Sequence, residues 1–328
     1  MKVSHLARFI VLLALFAVTS VGQTTNEASK GKRVLLNVTV LDMYDEPIND
    51  LKIENFRLFE DKKPLVIERF ESADSPVSVG ILFDASRSMN NLTDVSREAM
   101  LAFIEESNPQ NEYFVTAFGT QVDVLSEFTG ADNATKIIAD SPYFAKSRKK
   151  GETVLYDAII SGIEKLSKAK NQKKVLFVFW DIDENYTSGR YKELEKLVKE
   201  KNIILFLTGY NGFASRTPLG DLAERTGGAS FYSEYGVGGF FDNQRWIFYR
   251  SKYYSPREMF FMRYEKIARR LKNLYTLSFE PGADDGKNKW RNLEVKLEIE
   301  KEIRKKAGST EALFRKGYYP LSELVVSN

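Results

Sequence analysis

Two runs of the chain are almost wholly apolar and each ends on an acid: VSVGILFD (residues 77–84) and VLFVFWD (residues 175–181). A strand with one face on solvent alternates polar and apolar residues. An unbroken run of this length therefore marks a strand buried on both faces. Such burial needs helices above and below the sheet, which the crossovers between parallel strands supply. The intervening sequence has them. TDVSREAMLAFIEES puts Val95, Ala99, Ala102 and Phe103 on one stripe, and TVLYDAIISGIEKLSKA does the same with Leu155, Ile159, Ile163 and Leu166. EYFVTAFG and VDVLSEF read as two strands paired around GTQ, NATKIIAD as a short helix, and YKELEKLVKEK as a helix with a charged outer face. IILFLTG is a third buried strand, and PLGDLAERTGG with ASFYS adds a helix and an edge strand. The fold class is α/β: a doubly wound, mostly parallel sheet over residues 76–235.

The flanks have another pattern. Within residues 23–75, RVLLNVTVLDM and FRLFEDKKPLVIERFES alternate around the turn YDEPIND, as a small antiparallel β module would. Residues 236–328 open on an aromatic stretch that includes Phe240, Phe241, Trp246, Phe248, Tyr249, Tyr253 and Tyr254. A helical pattern follows, then β alternation in YTLSFEP, RNLEVKLEIEKEIRKKA and ALFRKGYYP. GADDGKNKW, lying between two of these strands, reads as a hairpin turn. The aromatic residues are expected to bury themselves where the tail crosses the domain, and Trp180 to lie in the core.

The first 22 residues place Lys2 and Arg8 before an apolar stretch from Phe9 to Val18, with small residues at Ser20 and Gly22. This is the pattern of a secretory signal peptide cleaved near Gly22–Gln23, and the stretch is shorter than the ~20 residues of a membrane span. The expectation is an exported protein, secreted or periplasmic, with no stable membrane span after cleavage. Cleavage takes Lys2 and Arg8 from the 48 basic residues, leaving 46 against 45 acidic ones. A chain so near neutrality lacks the charge of a nucleic-acid binder. Cleavage also takes His5, the single histidine, and the chain has no cysteine. Ser-His-Asp and Cys-His catalysis, thiol redox chemistry and the usual zinc ligand sets are thereby excluded. A metal would be held by oxygen, which favours Mg2+, with Mn2+ or Ca2+ as the other hard cations.

Ligands of a doubly wound sheet sit outside the carboxyl ends of its strands. Asp84 and Asp181 each end an apolar strand there. Ser86 and Ser88 follow Asp84 in ILFDASRSMNN, and Thr153 stands in GETVLYDAI just before a helix. An acid and hydroxyls meeting at one rim can hold a hard cation, activate a nucleophile, or cap the helix that follows. KSRKK (residues 146–150), just before Thr153, reads as a solvated loop.

Asp84-Ala85-Ser86-Arg87-Ser88, Thr153 in GETVLYDA and Asp181 closing VLFVFWD together resemble the von Willebrand factor type A (VWFA) domain with a metal-ion-dependent adhesion site (MIDAS). The likeness spans about residues 77–234, and AERTGGASF fits the last helix and strand of that family. The flanks resemble a bacterial secreted VWFA-related subgroup, which implies that residues 33–75 and the C-terminal β segment pair beside the A domain. The resemblance further implies a non-catalytic protein-binding or adhesion module. Asp84, Ser86, Ser88, Thr153 and Asp181 would hold Mg2+, and an exposed Asp or Glu of a protein partner would complete the coordination. One departure concerns Asp181: the family often has Gly next, and this chain has Ile182, so Asp183 or Glu184 would share the coordination or the loop would run differently. DIDEN also resembles the start of haloacid-dehalogenase-type phosphotransferases, with Asp181 as nucleophile, Asp183 as general acid and Mg2+ again required. A purely structural A domain is the third reading.

Overall fold

The computed structural model describes residues 32–71, 75–144, 153–181, 190–210, 217–233, 239–242, 245–248, 256–283, 287–320 and 325–327. The signal peptide, KSRKK, residues 182–189 and Tyr249, Tyr253 and Tyr254 lie outside them. The chain begins with β1 (Lys32–Leu41), β2 (Phe56–Glu60), β3 (Lys63–Leu65) and β4 (Arg69–Glu71). Then come β5 (Val77–Asp84), α1 (Thr93–Glu106), β6 (Glu112–Phe118), β7 (Val122–Thr129), α2 (Ala131–Asp140) and α3 (Leu155–Ser167). β8 (Lys173–Asp181), α4 (Tyr191–Glu200), β9 (Ile204–Tyr210), α5 (Pro218–Arg225) and β10 (Ala229–Ser233) follow. The remainder is β11 (Gly239–Asp242), β12 (Arg245–Phe248), α6 (Pro256–Lys272), β13 (Tyr275–Phe279) and β14 (Arg291–Leu297). After them stand α7 (Lys301–Ala307), β15 (Glu311–Phe314), β16 (Gly317–Tyr318) and β17 (Val325–Ser327).

Among the described residues the central sheet has eight strands in the order β12-β11-β10-β9-β8-β5-β6-β7. The five from β10 to β6 run parallel, and β7, β11 and β12 are antiparallel additions. The apolar runs are buried on both faces, as their composition requires. Val79, Ile81, Phe83, Phe177 and Phe179 pack with α1, α2 and α6, whereas Leu82, Leu176, Val178 and Trp180 pack with α3, α4 and α5. Trp180 is in the core, as expected. α3 lies so close to the sheet that a Cβ on Gly162 would stand 2.9 Å from Leu176 Cδ1. β10 is not the edge strand that the sequence suggested. The aromatic segment turns back along it as β11, pairing Phe231 with Asp242 and satisfying backbone groups that an edge would leave open.

The flanking strands form two further sheets. One has the order β15-β1-β13-β4, with β17 also on β1; the other is β16-β14-β2-β3. Their facing sides share a core that includes Val34, Leu36, Phe56, Leu58, Tyr275, Leu277, Leu293 and Val295. The expected hairpin around GADDGKNKW is not formed, because β13 and β14 belong to different sheets. β13, buried along its whole length, pairs with β1 and β4, while β14, with its alternating burial, pairs with β2 and β16. The β pattern read across RNLEVKLEIEKEIRKKA also stops early: β14 ends at Leu297, and Lys301–Ala307 is helical.

Candidate metal centre

β5 and β8 are adjacent parallel strands, with Phe83 opposite Phe179. From β5 the chain proceeds to β6 on one side, and from β8 to β9 on the other. The crevice at their carboxyl ends is therefore the topological switch point of the sheet, the place where open α/β sheets take ligands. Asp84 ends one of these strands and Asp181 the other. Asp181 lies opposite Tyr210 and one position farther along its strand than Asp84, which puts the two Cα atoms about 6 Å apart at ordinary strand spacing. The side chain of Asp181 and residues Ile182, Asp183 and Glu184 lie outside the described residues.

Asp84 is 3% exposed, and its Oδ1 accepts the Ser86 N–H at 2.7 Å, an Asx turn that swings the chain out of the strand. The turn brings the Ser86 and Ser88 hydroxyls to 2.9 Å from each other. Neither hydroxyl is consumed by a cap. The 3-10 turn Arg87–Asn91 starts at Ser86 without a side-chain cap, and α1 starts at Leu92, also without one. The capping alternative is thus removed at these serines.

Thr153 reaches the same rim through Gly119. Ala85 N–H donates to Phe118 O at 2.7 Å, and Val154 N–H donates to Gly119 O at 2.9 Å. A Cβ on Gly119 would lie 3.8 Å from the Ala85 carbonyl and from Ser86 N. One residue thus joins the Thr153 loop to the serine turn. The N-cap of α3 is Val154, so Thr153 does not cap that helix either. The sequence reading missed Gly119, whose contribution is a backbone carbonyl that no side-chain motif reveals. It also missed an ion cluster at the same rim, in which Arg190 pairs with Asp157 in the first turn of α3 and with Glu193 (2.8 and 2.6 Å) in α4. Glu193 first, then Asp157, holds the Arg190 guanidinium more firmly protonated. The R-x-x-E spacing was its sequence signal.

The donor set fits a hard cation. Two oxygens bound cis to Mg2+ at 2.0–2.1 Å stand roughly 2.9 Å apart, which is the separation of the two serine hydroxyls. Among the described residues no group of three or more His, Cys, Asp or Glu side chains comes together. A cation here would rest on hydroxyls, on the Asp84 carboxylate and on the end of β8.

No protein-family model matches the sequence, and no curated protein matches it. Solved structures do align with the chain. One is a von Willebrand factor type A protein from Catenulispora acidiphila, with 10% identity, TM-score 0.47, and coverage of 89% of this chain and 74% of that one. The SpRpn10 VWA domain aligns at 16% identity and TM-score 0.40, over 49% of this chain and 88% of that one. The conserved hypothetical protein BatB from Bacteroides thetaiotaomicron aligns at 15% identity and TM-score 0.35, over 41% of this chain and 66% of that one. The fold itself stands on the strand order and register above.

Proposed function

We propose that this chain is an exported VWFA-type protein-binding module with a metal-ion-dependent adhesion site. Asp84, Ser86, Ser88, Thr153 and Asp181 would hold one Mg2+, or Mn2+ or Ca2+ in its place. The bound ion would supply a Lewis-acidic position for a carboxylate oxygen of a protein partner. The chain's own part is to position oxygens: the buried Asp84 sets the serine turn, and Gly119 carries Thr153 to it. In this reading the site binds its partner and does not turn it over. The observation that carries this reading is the Ser86–Ser88 hydroxyl pair, 2.9 Å apart beside the buried Asp84 carboxylate and used for no helix cap. Export is supported by the signal-peptide pattern; among the described residues no helix is long and apolar enough to cross a membrane.

A ligand that binds only the native state raises its stability by mass action, by about 2.7 kcal/mol at a hundred times its Kd. The unfolding temperature of chelator-treated protein is therefore expected to climb with added Mg2+ or Mn2+, and to stay flat in Thr153→Ala with Ser86→Ala. A folded wild-type protein whose unfolding temperature ignores both metals would refute the reading.

A further inference from the structure

Two arginines described at the rim stand in opposite circumstances. Arg190 is engaged by Asp157 and by both oxygens of Glu193. Arg87, between the two serines, is exposed and makes no hydrogen bond, ion pair or ring contact among the described residues. Its backbone is nevertheless fixed: Met89 N–H donates to Ser86 O at 3.3 Å, and Met89 is buried in the core. A free guanidinium thus extends from a rigid turn whose neighbouring residues on both sides carry the paired hydroxyls. Consecutive Cα atoms are about 3.8 Å apart, so the guanidinium stays on the order of one Debye length, about 8 Å at physiological salt, from those hydroxyls.

A cation held by the hydroxyls and the guanidinium beside them would be two positive centres roughly one residue apart. Each repels the other, and each can take its own carboxylate. Two separate centres suit two separate acids better than a single compact anion. We infer that Arg87 forms a second anion subsite beside the metal. The ligand is then an acidic peptide segment with two neighbouring Asp or Glu side chains, one on the metal and one on the guanidinium. This inference rests on the metal-site reading above.

It predicts two effects of opposite sign. Loss of the Arg87 charge tightens binding of the metal alone by roughly threefold, because a like charge at this range is removed. The same change costs a diacidic ligand an exposed ion pair, worth up to about fivefold in affinity. The test uses purified wild-type protein, Arg87→Gln and Arg87→Lys, with metal affinity measured by calorimetry. Binding of two labelled, capped Gly-Ser peptides, one with a single Glu and one with Glu-Asp, is read by fluorescence anisotropy in Mg2+ at low salt and again with chelator. Wild type is expected to prefer Glu-Asp by roughly threefold to fivefold. Arg87→Gln should bind both peptides alike, and Arg87→Lys should keep part of the preference. Equal preference in wild type and Arg87→Gln, with metal bound in both, overturns the subsite and leaves the metal site standing. So does displacement of the Glu-Asp peptide by inorganic phosphate at peptide-like concentrations, which would assign the subsite to a compact anion. Absence of metal binding in wild type overturns both readings.

Discussion

Arg315 is where hydrogen bonding and the cost of burying charge oppose each other most directly. The residue is 4% exposed, and its guanidinium donates to the carbonyls of Val198 (2.5 Å), Lys199 (2.9 Å), Lys201 (3.1 Å) and Gly317 (3.2 Å). The residue after β15 thereby closes the C-terminus of α4, where the helix dipole favours a cation. Burial alone draws its pKa down to about 10, with no carboxylate countering it. Arg315→Met keeps most of the volume and strands the carbonyls. Each buried carbonyl left without a donor costs about 1–3 kcal/mol. An open cleft of about 460 Å³, lined by Val198, Lys199 and Arg315 among others, lets water reach some of them. If two of the four stay dry, the loss is about 2–6 kcal/mol. Removing a desolvated cation gives part of that back. The expected net loss is about 2–3 kcal/mol, and Arg315→Lys should recover less than half, because one ammonium cannot span the four acceptors. Since the described residues form three hydrophobic cores, the assay is native-state amide exchange in the last turn of α4, supported by the urea midpoint. Protection in Arg315→Met equal to or above wild type would refute the reasoning: burial would then cost as much as the bonds return.

Ser86→Ala and Ser88→Ala should each leave the urea midpoint within about 0.5 kcal/mol of wild type, because neither hydroxyl caps a helix, while lowering metal affinity. Thr226→Val should cost about 1–3 kcal/mol by equilibrium unfolding, since its buried hydroxyl accepts Leu205 N–H at 2.9 Å and donates to Ala223 O at 2.6 Å. Burial raises the Glu46 carboxyl, but the hydrogen bond from Arg269 and the charge of Lys266 lower it by more, so the folded pKa lies below the unfolded one. A depressed carboxyl stabilises above its unfolded pKa and loses that stability as pH falls through its folded value. Glu46→Gln should therefore be weaker than wild type by about 0.5–1 kcal/mol at neutral pH, a figure discounted for a partly exposed pair. The gap should close as the pH is taken down from the ordinary glutamate range through the lowered folded value.

Much of the central sheet was legible because double burial leaves a compositional mark: VSVGILFD and VLFVFWD could hardly be anything but covered strands. The serine turn was legible because Asp84, Ser86 and Ser88 are local in sequence. What stayed hidden was partnership between distant segments. YTLSF and RNLEVKL both look like strands, but periodicity reports which faces are buried and not which edge is paired, so a hairpin was read where two sheets face each other. The return of β11 along β10 was missed for the same reason. α7 has only a short apolar face, Ile303 with the buried Ala307 four residues on, among lysine, arginine and glutamate. Its end was nonetheless marked by Gly308, whose φ of +68° suits the residue after a helix and whose N–H reaches Arg304 O. Gly119, which carries Thr153 to the rim by a backbone bond, left no signal that side-chain spacing could reveal.

The central claim is that the serine turn and the ends of β5 and β8 hold one divalent cation. Its most direct test is calorimetric titration of Mg2+ and Mn2+ into chelator-stripped protein, with Asp84→Asn and Asp84→Ala alongside. Asp84→Asn keeps an oxygen to accept the Ser86 N–H, which separates loss of the metal charge partner from loss of the turn. The account predicts saturable binding at one site in wild type and none in either variant, both remaining folded. No binding in wild type, or unchanged binding in Asp84→Ala, would contradict it.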